Sequence, residues 1–232
     1  MRLALALCLV TGPAVAECRL ALALAFDVSA SVDGREYRLM MQGTADALRD
    51  PAVQQAALSG APVALAAYVW AGAREQAVAA DWVVIDSAAA LAQFADRVAG
   101  FSRPSGDPLG AWAGRTGVGA ALLAGEQLLN RAPPCDARTI DLAGDGVSND
   151  GPETARLDGI TVNALAVGGN LPLDHDGAID GLGDWYARTI LQGPAPFVVQ
   201  ADGFEDFARA MRLKLLRELQ PLLLGGWVEP PG

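Results

Sequence analysis

Lysine is almost missing from this 232-residue chain: Lys214 stands alone among 17 basic residues, against 27 acidic ones and a formal charge of −10. That balance argues against a nucleic-acid partner and leaves no polybasic patch for a membrane surface. Histidine is limited to His175. No nucleophile stands in a pattern that would use it as a base, so it reads as a surface residue. Cysteine is held to three. Beyond the first residues, no stretch reaches the roughly eighteen apolar residues that span a bilayer. There is also no internal repeat, linker or composition shift to divide the chain. What the chain does have is apolar bulk: 52% hydrophobic residues against 19% charged, enough for a globular fold with a real core.

Residues 1–16 read as a secretory signal. Arg2 is the positive start, Leu3 to Val10 the apolar segment, and Ala14-Val-Ala16 an A-x-A cleavage pattern. Cleavage between Ala16 and Glu17 would carry Cys8 away and take the formal charge from −10 to −11. Glu17 stands where a lipid-modified cysteine needs a small residue before it, so Cys18 is not expected to be lipidated. The expected destination is the periplasm or the outside. There the remaining pair, Cys18 and Cys135, invites a disulfide.

The hydrophobic pattern predicts strands and helices in alternation. Strands are expected at 20–26, 63–70, 76–85, 137–143, 160–167 and 197–200, the third as an antiparallel hairpin partner of the second. Helices are expected at 34–49, 51–58, 88–99, 120–130, 152–157, 184–191 and 204–219. In the last of these Phe207, Met211, Leu215 and Leu219 form a stripe that reads as core-facing. Such alternation defines an α/β domain with a largely parallel sheet.

Leu20 to Phe26 is apolar throughout, as a strand covered on both faces should be. Asp27, Ser29 and Ser31 follow at alternate positions, at the strand's carboxyl end, where open α/β sheets place their sites. A carboxylate and two hydroxyls suit a hard cation with oxygen ligands. They also suit a strand end followed by a serine-rich helix cap. Two distant segments bear on the choice. Thr116 lies in Gly114-Arg-Thr-Gly-Val-Gly119 ahead of a helix, and Asp145 follows the fourth strand in Gly144-Asp-Gly-Val-Ser-Asn-Asp150. The alternation of strands and helices puts all three segments on one rim.

Together, Asp27-Val-Ser-Ala-Ser31, Thr116 in its glycine-rich loop and Asp145 resemble the von Willebrand factor type A (VWA) domain and its metal-ion-dependent adhesion site (MIDAS). Within that type, the chain is most similar to the exported bacterial family called domain of unknown function 1194. The resemblance implies a three-layer, Rossmann-like α/β fold over residues 17–224, with a loose tail at 225–232. Its mostly parallel six-stranded sheet would have the order 3-2-1-4-5-6, strand 3 antiparallel, with helices on both faces. It also implies Mg²⁺, with Mn²⁺ or Ca²⁺ as substitutes, held by Asp27, Ser29, Ser31, Thr116 and Asp145. An open position on the ion would accept an acidic side chain from a protein partner, without catalysis. With no His or Cys near the motif, Zn²⁺ and Cu²⁺ are poor fits. Strands one and four are neighbours in that sheet order. Cys18, nine positions before Asp27, and Cys135, ten before Asp145, then meet near the opposite rim, so a Cys18–Cys135 bridge is expected. Two positions depart from the family pattern: Ala30 replaces a common Gly, and Gly144 stands where many relatives have Thr. Neither change removes a ligand oxygen.

Other signals are weaker. Gly144 to Asp150 also resembles the last motif of haloacid-dehalogenase-type phosphatases, with Asp27 as nucleophile. That family wants Asp where Ser29 stands, and a phosphate-facing Lys between the motifs, whereas Lys214 follows both and only an Arg could take its place. A structural scaffold with a vestigial site is a further alternative. Asp174-His-Asp-Gly-Ala-Ile-Asp180 lacks the order and distal Glu of an EF-hand and reads as a solvated loop. Its Asp174 and Asp176, with Trp112 and Arg115, are candidate partner contacts beside the rim. Trp82 and Trp185 are expected to pack in the core or at the rim.

Overall fold

The computed structural model describes residues 18–104, 114–168 and 181–220. The signal segment 1–16, Trp112, Asp174, His175, Asp176 and the 225–232 tail lie outside the described residues. The described chain runs β1 (Cys18–Asp27), α1 (Gly34–Arg49), α2 (Pro51–Ala57), β2 (Val63–Trp70), β3 (Gln76–Ile85), α3 (Ala88–Gly100), α4 (Val118–Leu129), β4 (Cys135–Gly144), β5 (Thr161–Val167), α5 (Leu182–Thr189), β6 (Val198–Ala201) and α6 (Phe207–Leu219). A 3-10 turn at Phe204–Asp206 leads into α6.

The sheet order is β3-β2-β1-β4-β5-β6, all neighbours parallel except β2 and β3. This is the expected 3-2-1-4-5-6 order. β1 shows why its sequence has no polar interruption before Asp27. Leu20, Leu22, Leu24 and Phe26 face one core, shared with α1, α2, α3 and α6. Ala21, Ala23 and Ala25 face the other, shared with α4 and α5. With helices on both sides, alternation is by size rather than polarity. The stripe of α6 lies in the first core as expected, with Phe207, Met211, Leu215 and Leu219 all buried. Trp185 is buried in the second core and Trp82 packs against it, its indole N–H donating to the Leu128 carbonyl at 2.9 Å.

Helix starts follow local chemistry. Asp33 caps α1 in a capping box with Glu36, and Asp50 caps α2 with Pro51 at its first turn. One expected helix is absent: residues 152–157 are irregular. Their backbone groups are taken by tertiary partners instead of each other. The Pro152 carbonyl accepts from Gly119 N–H at 3.1 Å, and Gln192 brackets the segment through Leu157 N–H and the Ala155 carbonyl. Elsewhere the element ends shift by one to three residues, as at α4, which begins at Val118 rather than Ala120, and at α6, which begins at Phe207 rather than Phe204.

Cys18 and Cys135 are joined in a disulfide with their Cα atoms 4.6 Å apart. They are direct partners on the β1–β4 ladder, at the end opposite Asp27. A second feature was not foreseen. Lys214, the single lysine, is fully buried beneath the sheet, its Nζ 2.7 Å from both Asp141 Oδ1 of β4 and Glu218 Oε1 of α6. Asn163 of β5 donates to Glu218 at 2.8 Å and accepts from Phe197 N–H at 3.1 Å. Burial first, and the Glu218 carboxylate second, push Asp141 up to about 8 against the pull of Lys214. The cluster ties α6 to two strands, to β4 through Asp141 and to β5 through Asn163.

Candidate functional site

β1 has β2 on one side and β4 on the other, so the strand order turns back at β1/β4. That crevice, outside the carboxyl ends of parallel strands, is where doubly wound sheets bind ligands. β1 delivers Asp27 there, one residue past the Phe26–Ala143 pair, and β4 delivers Asp145 just beyond its last residue.

Asp27 is fully buried. Its Oδ1 accepts from Ser29 N–H at 2.8 Å, while Oδ2 has no partner. The Ser29 and Ser31 hydroxyls are 3.1 Å apart, and Ser31 Oγ donates to Asp145 Oδ1 at 2.7 Å. The helix-cap alternative fails for both serines, because Asp33 alone accepts from the first amides of α1. Thr116 is buried in the turn before α4. Its N–H donates to Asn149 Oδ1 at 2.9 Å, and its carbonyl accepts from the amides of Asn149 and Asp150. A Cβ built on Gly146 would lie 3.9 Å from Thr116 Oγ1, so that hydroxyl borders the loop carrying Asp145. The five residues from three segments thus share one rim.

Neighbouring loops hold this rim in place. Arg103 donates to the carbonyls of Val28 and Ser29 at 2.9 and 3.0 Å, bracing the turn that carries the serines. Gly117 N–H donates to Ala71, tying the Thr116 turn to the end of β2. The Gly114 carbonyl accepts from Ala30 N–H at 2.9 Å. Gly114 has φ +75°, and a Cβ on it would fall 2.6 Å from the Ala30 methyl, so Ala30 fits because residue 114 is Gly. Gly144 has its own reason. A Cβ there would lie 2.6 Å from the Tyr186 hydroxyl and 3.1 Å from Asp27 Oδ2, so a buried phenol occupies the space a Thr would need. Arg115 is exposed, 3.9 Å from Asp150, a surface pair of little energetic weight.

Burial, with charge crowding second, sets the titration. Asp27 is pushed up to about 7, first by burial and then by the Asp145 charge, against the Ser29 hydrogen bonds. Burial also raises Asp145, with Ser31 opposing. Tyr186 is raised well above its usual range by burial and by both carboxylates. From about pH 4 to pH 7, the native protein therefore keeps a proton on Asp27 that the unfolded chain has lost, so stability falls as pH rises. Asp141 acts in the same sense. In chelator the melting temperature should be lower at pH 8 than at pH 5, and Asp27→Asn should flatten part of that slope. An unchanged slope in Asp27→Asn would show that Asp27 is not the buried, proton-holding group described.

Among the described residues, no three His, Cys, Asp or Glu side chains gather as a metal cluster. The rim is instead a two-carboxylate, three-hydroxyl set. Sequence reasoning missed Arg103, Asn149, Tyr186 and the Asp141–Lys214 pair. Lys214 stood out only as the one lysine among arginines, which does not place it in the core.

The sheet order and the rim define the fold of a von Willebrand factor type A domain. A VWA protein from Catenulispora acidiphila superposes with a TM-score of 0.54 at 15% identity, over 87% of this chain and 43% of that one. SpaC, a pilus adhesin from Lactobacillus rhamnosus GG, in its open conformation, gives 0.56 at 16% identity, over 87% and 30%. Proximal thread matrix protein 1 of the mussel byssus, with a zinc-occupied MIDAS motif, gives 0.51 at 15%, over 87% and 48%. The chain thus spans less than half the length of these structures, and the likeness is one of fold. Comparison with curated proteins gives no match. The chain belongs to the family described as Protein of unknown function (DUF1194), whose model matches residues 17–223.

Proposed function

We propose that this chain is an exported, non-enzymatic binding module, one domain over residues 17–224 after a signal at 1–16. It holds Mg²⁺, with Mn²⁺ or Ca²⁺ as substitutes, at Asp27, Ser29, Ser31, Thr116 and Asp145. The observation that carries the reading is Asp27 Oδ2, buried and without a partner, beside a second carboxylate and a pair of serine hydroxyls. Orphaned buried oxygens are costly, and a cation removes both the vacancy and the repulsion between Asp27 and Asp145. The donor set is all oxygen, as hard cations require. Bound there, the ion would supply an electrophilic position for a carboxylate from a protein partner. Ser31 and Asp145 lie at the open side of the rim, while Asp27 and Ser29 are closed beneath it. Arg115, and beyond the described residues Trp112, Asp174 and Asp176, are the proposed contacts around it.

Export is supported by the signal-like segment and by a disulfide suited to an oxidising compartment. No described helix is long and apolar enough to cross a membrane. The phosphatase alternative needs a lysine facing Asp27, and Lys214 is committed to Asp141 and Glu218.

Titration calorimetry with Mg²⁺, Mn²⁺, Ca²⁺ and Zn²⁺ tests the site. The parent should bind Mg²⁺ and Asp27→Ala should not; equal affinity in both would sink the assignment. Capture of a partner from the native envelope should be lost in chelator. Capture that survives would favour the scaffold with a vestigial site.

A further inference from the structure

The unpartnered oxygen of Asp27 and the hydroxyl of Tyr186 flank the same point, the place a Cβ of residue 144 would take. Tyr186 comes from α5, an element that contributes nothing to the three-part motif, and its ring is fully buried in the second core. Its O–H donates to the Gly146 carbonyl at 3.2 Å, a long bond to a neutral acceptor. Asp27 Oδ1 is already engaged by Ser29 N–H, so Oδ2 is the oxygen that remains to be oriented. Gly144 keeps the path between phenol and carboxylate clear of any side chain.

We infer that Tyr186 is a positioning residue for the proposed cation site, giving its O–H to Asp27 Oδ2 when that carboxylate carries a bound ion. Hydrogen bonds to ionised groups are shorter and about twice as strong as neutral ones, which favours exchanging the Gly146 carbonyl for the carboxylate. The consequence is geometric. With Oδ1 held by the backbone and Oδ2 by a phenol locked in the core, the Asp27 carboxylate cannot rotate. Mg²⁺ demands near-ideal octahedral geometry, whereas Ca²⁺ tolerates irregular coordination. A fixed Asp27 therefore favours Mg²⁺. It also links occupancy of the site to the seating of α5.

This inference rests on the metal reading, and the experiment separates the two. Dissociation constants for Mg²⁺ and Ca²⁺ are measured by calorimetry on the parent, Tyr186→Phe and Gly144→Ala, with melting temperatures in chelator as a control of folding. Tyr186→Phe removes one oxygen and should weaken Mg²⁺ about tenfold and Ca²⁺ by less than threefold, narrowing the preference for Mg²⁺. Gly144→Ala keeps the phenol but forces it away from Asp27, and should narrow the preference in the same way. A merely structural role would weaken both ions alike. Equal losses for Mg²⁺ and Ca²⁺, or parent-like Mg²⁺ affinity in Tyr186→Phe, would overturn the inference and leave the metal site standing. No Mg²⁺ binding by the parent would overturn both.

Discussion

Lys214→Ala is expected to destabilise the protein by roughly 3–5 kcal/mol, the cost of leaving buried carboxylates without their cation. Asp141 and Glu218 are both shielded from water, and each lies 2.7 Å from the ammonium that would be lost. The alanine also opens a cavity beside Phe197, over whose ring the ammonium sits at 5.2 Å. Urea unfolding with the disulfide intact would show a fall in midpoint at pH 7. A triple variant, Lys214→Met with Asp141→Asn and Glu218→Gln, should recover much of the stability, because a charge-free cluster has no desolvation to offset. A Lys214→Ala cost below about 1 kcal/mol would mean that water reaches the cluster.

The second large effect is the loss of the disulfide. Cys18 and Cys135 are 117 residues apart in sequence and adjacent on the β1–β4 ladder. Their bond closes a very long loop in the unfolded chain, an entropic restriction worth on the order of 3–5 kcal/mol. Cys18→Ala with Cys135→Ala should lower the urea midpoint accordingly, and reduced parent protein should match the double variant. Mg²⁺ affinity should stay within about twofold, since the bridge lies a whole strand away from Asp27, roughly 30 Å at the rise of a β-strand. Two titratable thiols in unfolded, unreduced protein would refute the bridge.

These two features differ in how far they could be read in advance. The disulfide was legible because cysteine spacing and the sheet order of the resembled fold put both residues in near register. The Lys214 cluster was not. A lone lysine in an amphipathic helix reads as a solvated head on an apolar stem. Only the packing of α6 across β4 and β5 brings the charges of the cluster together. The missing helix at 152–157 follows the same logic, since its composition permits a turn of helix but Gly119 and Gln192 claim its backbone.

The rim divides in the same way. Asp27, Ser29, Ser31, Thr116 and Asp145 announce themselves by type and spacing, because strand period and loop chemistry are local properties. The local pattern also left a serine-rich helix cap open, and Asp33, which caps α1 in the serines' place, closes that option. Arg103, Asn149 and Tyr186 leave no local trace, since each acts on the rim from a separate element.

By itself, then, the sequence determined the alternating α/β order, the strand run with its polar end and the two half-cystines. The first two are set by hydrophobic period and the last by composition. The tertiary structure alone decided that Asp27 Oδ2 is buried without a partner, that Gly144 makes room for Tyr186, and that Lys214 is a core residue. Each depends on which side chains from distant segments exclude water from the same place, and that is a property of packing.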